Sequence, residues 1–206
     1  MRKIFFIFTL FLISACYYTP DNFVANVIVD DKGAFSMVYE GDLVRVSYVK
    51  ELLEGKVKPE DIREKIEIIK RDLEKEKSFS EVVSMGQGRF KVKYKKTGYI
   101  GPGKIHSFIR RDSIIFSLKS TPEENDYEVF FAGRYLTPDK QKQLLDLGVH
   151  INGIFRFATN GKVVEHNAMR VIKNSNEFGG GMIYEWVIKD FEYPTPHLVM
   201  KLKNKR

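Results

Sequence analysis

Phe23–Tyr39 reads FVANVIVDDKGAFSMVY. Val24, Val27, Ile28 and Val29 are β-branched, a side-chain class that packs well on a pleated, half-buried surface. Asp30-Asp31-Lys32-Gly33 then concentrates turn formers, and Ala34–Tyr39 resumes the extended pattern. A strand, a turn and a returning strand form a hairpin near the N-terminal end. A second stretch, Arg89–Tyr99 (RFKVKYKKTGY), alternates Phe90, Val92 and Tyr94 with Lys91, Lys93 and Lys95. That period of two gives a strand with one apolar and one cationic face. The cationic face fits either an exposed strand that lysines keep from aggregating or a surface for anionic lipid head groups.

Two helical segments are expected between these strands. Within Gly41–Leu53, residues Leu43, Val46, Val49 and Leu53 share a helical face, and Gly55 suits a left-handed C-terminal cap. From Pro59 to about Lys77, Ile62, Ile66, Ile69 and Leu73 make an apolar stripe. Asp61–Lys65 and Glu67–Arg71 are spaced as i,i+4 ion pairs on the opposite side. Residues 56–58 and 78–88 are candidate internal boundaries.

Downstream, Gly98–Gly103 reads as a loop, and Ser113–Lys119 and Tyr127–Ala132 as strands parted by the polar run Thr121–Asp126. Thr137-Pro138 opens a short helix that Gly148 closes. Asn160-Gly161 is the strongest two-residue hairpin signal, so Val149–Thr159 and Lys162–Asn167 are expected to pair, with Arg156 opposite Glu165. Met182–Lys189, with Tyr184, Trp186 and Ile188 on one face, and Leu198–Leu202 complete the strands. Strands outnumber helices and few are separated by one. The expected fold is therefore α+β, a mainly antiparallel sheet with two to three helices packed on it, in one domain over residues 23–206.

The first sixteen residues, MRKIFFIFTLFLISAC, have a different character. Arg2 and Lys3 precede an apolar run from Ile4 to Leu12 that is short of the roughly 20 residues a spanning helix needs. This is the layout of a bacterial export signal. Ile13-Ser14-Ala15-Cys16 resembles the lipobox of bacterial lipoproteins, in which the cysteine is lipidated and becomes the new N-terminus. The resemblance implies a cleaved signal over residues 1–15, a lipid-bearing Cys16 with a diacylglyceryl group and often a further acyl chain, and a short tether over residues 16–22. It implies a cell-envelope location. Tyr17 follows the cysteine where an Asp commonly retains a lipoprotein in the inner membrane, so the outer membrane is favoured in a host with two membranes. An ordinary secretory peptide and an uncleaved anchor are the alternatives. Cys16 is the sole cysteine of the chain, and no disulfide is expected.

Without residues 1–15 the chain keeps 191 of its 206 residues, enough for one domain with its own core. The 13% aromatic content argues against disorder. With Arg2 and Lys3 removed, 32 basic residues face 27 acids, a net charge of +5 that favours anionic lipid or acidic polysaccharide, or keeps the surface soluble. Nucleic acid is the competing reading of a basic chain, and an exported protein rarely meets it.

Within Gly153–Lys189, FATNGKVVEHNA followed by a glycine-bearing loop and YEWVI resembles the closing segment of LppM-type bacterial lipoprotein domains. Asn160 stands where such domains often have proline before Gly-Lys-Val. The resemblance implies an α+β lipoprotein domain with a cavity for amphiphiles.

Catalytic signatures are sparse. His106, His150, His166 and His197 are scattered, without HExxH spacing or cysteines to complete a zinc site. No G-x-S-x-G elbow occurs, and the glycine clusters at 86–88 and 179–181 lack phosphate-loop spacing. No catalytic residue, metal or cofactor is therefore assigned. The expected role is non-catalytic binding of an amphiphile or an envelope partner protein, in an apolar groove lined by some of Phe155, Phe157, Tyr184 and Trp186. An envelope enzyme acting on glycan or lipid is the alternative.

Overall fold

The computed structural model describes residues 18–109, 114–122, 126–173 and 181–203. The expected hairpin is present. β1 (Tyr18–Val29) and β2 (Ala34–Arg45) pair antiparallel, with Val29 facing Phe35. The Asp30 carboxylate accepts from the Lys32 and Ala34 backbone N–H groups, and Gly33 takes a φ of +89°.

Both strands are longer than their sequence suggested. β1 starts at Tyr18, and Tyr18–Asp21 are buried and paired with Asp42–Arg45. Tyr18–Asn22, expected as part of the tether, are thus part of the sheet. Likewise Gly41–Arg45, expected to begin a helix, continue β2, and the helix α1 is confined to Val46–Leu53. Leu43 is buried in the strand, whereas Leu53 is 65% exposed at the helix end. Gly55 has the expected positive φ.

A one-turn 3₁₀ helix at Pro59–Asp61 leads into α2 (Ile62–Glu74). Its stripe packs as expected: Leu73 is buried in the main core, with Ile66 and Ile69 against it. Lys65 bonds Glu51 of α1 at 2.9 Å, and Arg71 reaches the Glu67 backbone oxygen, so the expected i,i+4 ion pairs are replaced. The suspected boundary at 78–88 is a strand, β3 (Phe79–Gly86), which turns into β4 (Arg89–Tyr99).

After β4 come β5 (Ile105–Phe108), β6 (Phe116–Ser120), β7 (Asp126–Gly133), α3 (Pro138–Asp146), β8 (Gly153–Thr159), β9 (Lys162–His166), β10 (Arg170–Lys173), β11 (Met182–Ile188) and β12 (His197–Lys203). One sheet has the order β10-β11-β8-β1-β2-β4-β3 and the other β5-β6-β7-β12-β9. Among the described residues every pairing is antiparallel except that of β1 with β8. The fold is α+β, as expected. Its layering is not: the main partner of the first sheet is a second sheet, and the helices fill in around them.

Aromatic rings join the two layers. Phe116 and Phe131 of the second sheet meet Phe155 of the first at 5.5 and 6.2 Å between centroids, and Phe131 also meets Phe157 and Trp186. Phe108 lies 4.5 Å from Tyr39 and 4.7 Å from Tyr94. Edge and tilted contacts of this kind add to the gain from burial alone.

The Asn160-Gly161 turn does not make a hairpin. β8 is already paired on both sides, by β1 and β11, so the chain crosses to the other sheet and β9 pairs with β12. Arg156 accordingly faces Glu185, not Glu165, and donates to it at 2.9 Å. Arg170 of β10 reaches the same buried carboxylate at 3.3 Å. The cationic face of β4 is also compensated: Lys91 lies opposite Asp42, and Lys93 lies opposite Glu40 and bonds Glu81 at 3.0 Å. That arrangement favours a solvated, aggregation-resistant strand over a free cationic surface.

Gly153 fixes how closely β8 approaches β1. A Cβ there would stand 2.4 Å from the Phe23 ring, which itself packs on Phe155. Gly153→Ala should therefore lower unfolding free energy by about 1–3 kcal/mol, the usual range for overpacking, as read by urea denaturation. An unchanged midpoint would show that the β1–β8 contact is looser than described.

Candidate functional site

β1 begins at one end of the sandwich. A cavity of about 310 Å³ opens there, lined by Tyr18–Pro20 of β1, Gly133–Leu136 after β7, Gln141 of α3, and Ile151, Phe155 and Ile188. Asp190–Pro196, the connection from β11 to β12, completes the rim. The volume lies at the low end of small-molecule sites, about 300–1,000 Å³. It suits one hydrocarbon tail or one small amphiphile.

Each wall has a structural reason. Phe155 is 3% exposed and held by Phe23, Phe116 and Phe131, so it forms a rigid floor. The β11–β12 connection is tied down by Asn167. Its side-chain oxygen accepts from Trp186 Nε1 and from the His197 backbone N–H, both at 2.8 Å, while its Nδ2 donates to the Thr195 carbonyl at 2.8 Å. Gln141 Nε2 donates to the Leu136 carbonyl and holds the linker before α3. Beside the cavity a small core of Val44, Val46, Leu144, Val149 and Phe191 seats α1 and α3 on this end of the sandwich. The polar rim residues Asp190 and Glu192 are exposed, whereas Ile188 and Phe191 are buried. The site is thus apolar inside and polar at its margin.

Of the four residues expected to line a groove, only Phe155 does so. Phe157 and Trp186 are turned into the core against Phe131, and Tyr184 stacks edge-on against His166 with 4.8 Å between centroids. Sequence reading passed over the remaining lining. The Phe191–Pro196 run, FEYPTP, carried the available signal: two aromatics and two prolines, too long and too apolar for a simple strand turn. A second cavity, of about 400 Å³, lies between α1, the β3–β4 turn and the end of α3, lined by residues such as Val44, Val49, Leu52 and Val149.

Cys16 lies outside the described residues, two positions before β1. Among the described residues no helix is long and apolar enough to cross a membrane, and no three His, Cys, Asp or Glu side chains are placed to hold a metal ion. The histidines do not converge. His197 Nε2 lies 3.1 Å from Glu165, His166 contacts Tyr184, His150 is exposed after α3, and His106 packs on Phe35 at the far end of the sandwich.

No family model matches the chain, and no curated protein matches it. Among solved structures, the folded domain of LppM from Mycobacterium tuberculosis superposes with a TM-score of 0.40 at 8% identity, covering 100% of this chain and 96% of that one. A score of 0.40 is too low to define a shared fold.

His106 supplies a test of the electrostatics. Burial, then the nearby Lys96, lowers its imidazole pKa from the ordinary 6.5, partly offset by a hydrogen bond to the Tyr99 backbone, and Lys104 adds to the lowering. As pH falls the unfolded chain binds this proton first. The neutral ring's contribution is then fully present above about pH 6.5 and is lost as the pH falls toward the lowered folded-state value. Between about pH 7 and pH 5 the melting temperature of the native protein should fall more than that of His106→Gln. Parallel profiles would contradict the buried, unprotonated assignment.

Proposed function

We propose that the protein is a lipid-anchored envelope lipoprotein that binds an amphiphile, without catalysis, in the cavity at the start of β1. The observation that carries this is position: the apolar cavity is lined by Tyr18–Pro20, the first residues of the fold after the lipobox-like Ile13-Ser14-Ala15-Cys16. A lipid on Cys16 brings the cavity mouth to the membrane, where amphiphiles are concentrated. The interior offers Phe155, Ile151 and Ile188 to a tail, and the margin offers polar side chains to a head group.

The energetics favour a tail as the recognised part. Each methylene leaving water contributes about 0.8 kcal/mol, so about eight buried methylenes contribute about 6 kcal/mol before the costs of ordering. Single-tailed amphiphiles such as a fatty acid or a lysophospholipid fit the cavity volume better than a whole two-tailed lipid. The partner is thus a membrane component, and the cell envelope is the place of action. Tyr17 after the cysteine favours the outer membrane where the host has two.

Displacement of N-phenyl-1-naphthylamine tests the reading. The native protein should enhance the probe's fluorescence, and palmitate or lysophosphatidylethanolamine should displace it. Thr195→Trp and Gln141→Trp, each filling the cavity from the rim, should weaken probe binding by about tenfold, equivalent to about 1.4 kcal/mol. Unaltered binding in both variants, with native circular dichroism, would move the ligand elsewhere.

A further inference from the structure

We infer that the end of the sandwich where β1 begins docks directly on the bilayer, with Leu53, Met85, Tyr135 and Leu145 seated in the head-group region. The inference deepens the proposed lipoprotein reading and rests on it for the anchor. Three observations converge on this end.

The first is the chain's point of entry. β1 starts at Tyr18, paired with Arg45 and 5% exposed. Cys16 is two residues away, a span of at most about 7 Å. A lipid on that residue leaves almost no leash, so the end bearing Tyr18 must rest against the surface from which the chain emerges. The tether expected from sequence would have held the domain within about 20 Å of the surface while leaving its orientation free. Its incorporation into β1 removes that freedom.

The second is the distribution of exposed apolar side chains. Tyr135 is 70%, Leu53 65% and Met85 60% exposed, and Leu145 is exposed on α3. All four belong to elements at this end: Tyr135 follows β7, Leu53 ends α1, Met85 precedes the β3–β4 turn, and Leu145 lies near the end of α3. Register places Leu53 and Met85 there, because Thr19 of β1 faces Val44 and Val44 faces Arg89 just after the β3–β4 turn, while Tyr135 lines the same cavity as Tyr18 and Leu144, next to Leu145, packs with Val44. The opposite end carries the polar Asp30–Gly33 turn, the Asn160 side chain bonded to the Asp31 backbone and two exposed apolar side chains, Tyr99 and Ile105, against four at the end where β1 begins.

The third is chemistry. Tyrosine with an apolar body and a wet hydroxyl is enriched at membrane interfaces. Lys142 lies one turn before Leu145 on α3 and is exposed, as is Lys140. Asp139 and Asp146 of the same helix and Asp190 and Glu192 of the rim are exposed as well, so charge is balanced at this end and the attraction comes from the apolar side chains. In this pose the cavity mouth meets the head-group layer, and a tail enters without crossing bulk water.

The test uses the full chain purified from bacterial membranes and reconstituted into vesicles of phosphatidylethanolamine and phosphatidylglycerol. Single substitutions Leu53→Cys, Tyr135→Cys and, at the far end, Asp31→Cys are labelled with an environment-sensitive fluorophore, and lipids with a nitroxide at the upper acyl chain serve as quenchers. Labels at 53 and 135 should be quenched about twofold or more relative to the label at 31, as expected for groups buried several ångströms into the head-group boundary. Mass spectrometry of the same samples reports the Cys16 lipid. A lipidated protein that floats with vesicles while labels at 53 and 135 stay aqueous would overturn the docking and leave the anchor intact. Quenching at 53 and 135 with an unmodified Cys16 would support the docking and remove the anchor. Labels that are shielded yet not quenched by lipid, as in contact with a protein or a second copy, would overturn the docking, as would a protein that does not float.

Discussion

The structure depends on one aromatic contact, the Phe155 ring wedged between Phe23 of its own sheet and Phe116 and Phe131 of the other. It joins the two sheets next to the cavity, beside the Phe131 contacts with Phe157 and Trp186. β8 carries Phe155, and β8 is the strand that β1 pairs with in parallel, so the same residue links the first strand of the fold to the last third of the chain. Gly153 makes room for the Phe23 ring in that contact. The cavity lies against this wedge, with Phe155 in its lining. Its floor is part of the core, while its rim is built from the β11–β12 connection and the segment after β7.

That division accounts for what could be read from the sequence. Strand periodicity reports which side chains share a face, so the hairpin at Phe23–Tyr39, the alternation in Arg89–Tyr99 and the Tyr184, Trp186, Ile188 face were all legible, and all those inward residues are buried. It does not report which sheet a strand joins. Asn160-Gly161 has strong hairpin chemistry, yet both edges of β8 are occupied by longer partners, and the turn hands the chain across the sandwich instead. Asn160 spends its side chain on the Asp31 backbone, tying this turn to the tip of the first hairpin. Tertiary pairing overrode a local preference there. At Gly41–Arg45 it overrode an apolar spacing that fits a helix, because β4 offers β2 a ladder up to Val44.

The candidate site was less legible. Phe155 was singled out for its place on an apolar strand, but Phe157, Tyr184 and Trp186 share that property and are spent on the core. Position along the strand separates Phe155 from Phe157 and Tyr184, which face each other two residues farther in, whereas Trp186 is level with Phe155 and is spent on Phe131 and the Asn167 side chain. The β3 and β5 strands escaped notice because one is a half-exposed edge and the other is four residues long. The rim of the cavity comes from an irregular connection held by Asn167, whose three hydrogen bonds join residues up to 30 positions apart. No local pattern announces such a clamp. The start of β1 was obscured for a similar reason: Tyr18–Asn22 contains proline, aspartate and asparagine, turn formers by composition, yet Asp21 is buried against Arg89 at 2.8 Å.

The central claim is that the cavity floored by Phe155 takes an acyl tail. Methyl-resolved NMR of the protein with a fatty acid bearing a nitroxide near its terminal methyl tests it most directly. The account predicts paramagnetic broadening concentrated on the Ile151 and Ile188 methyl signals, with those of Val83 and Ile105, remote from the cavity, unaffected. Broadening confined to the second cavity, at Val49 and Leu52, or spread evenly over surface methyls, would contradict it.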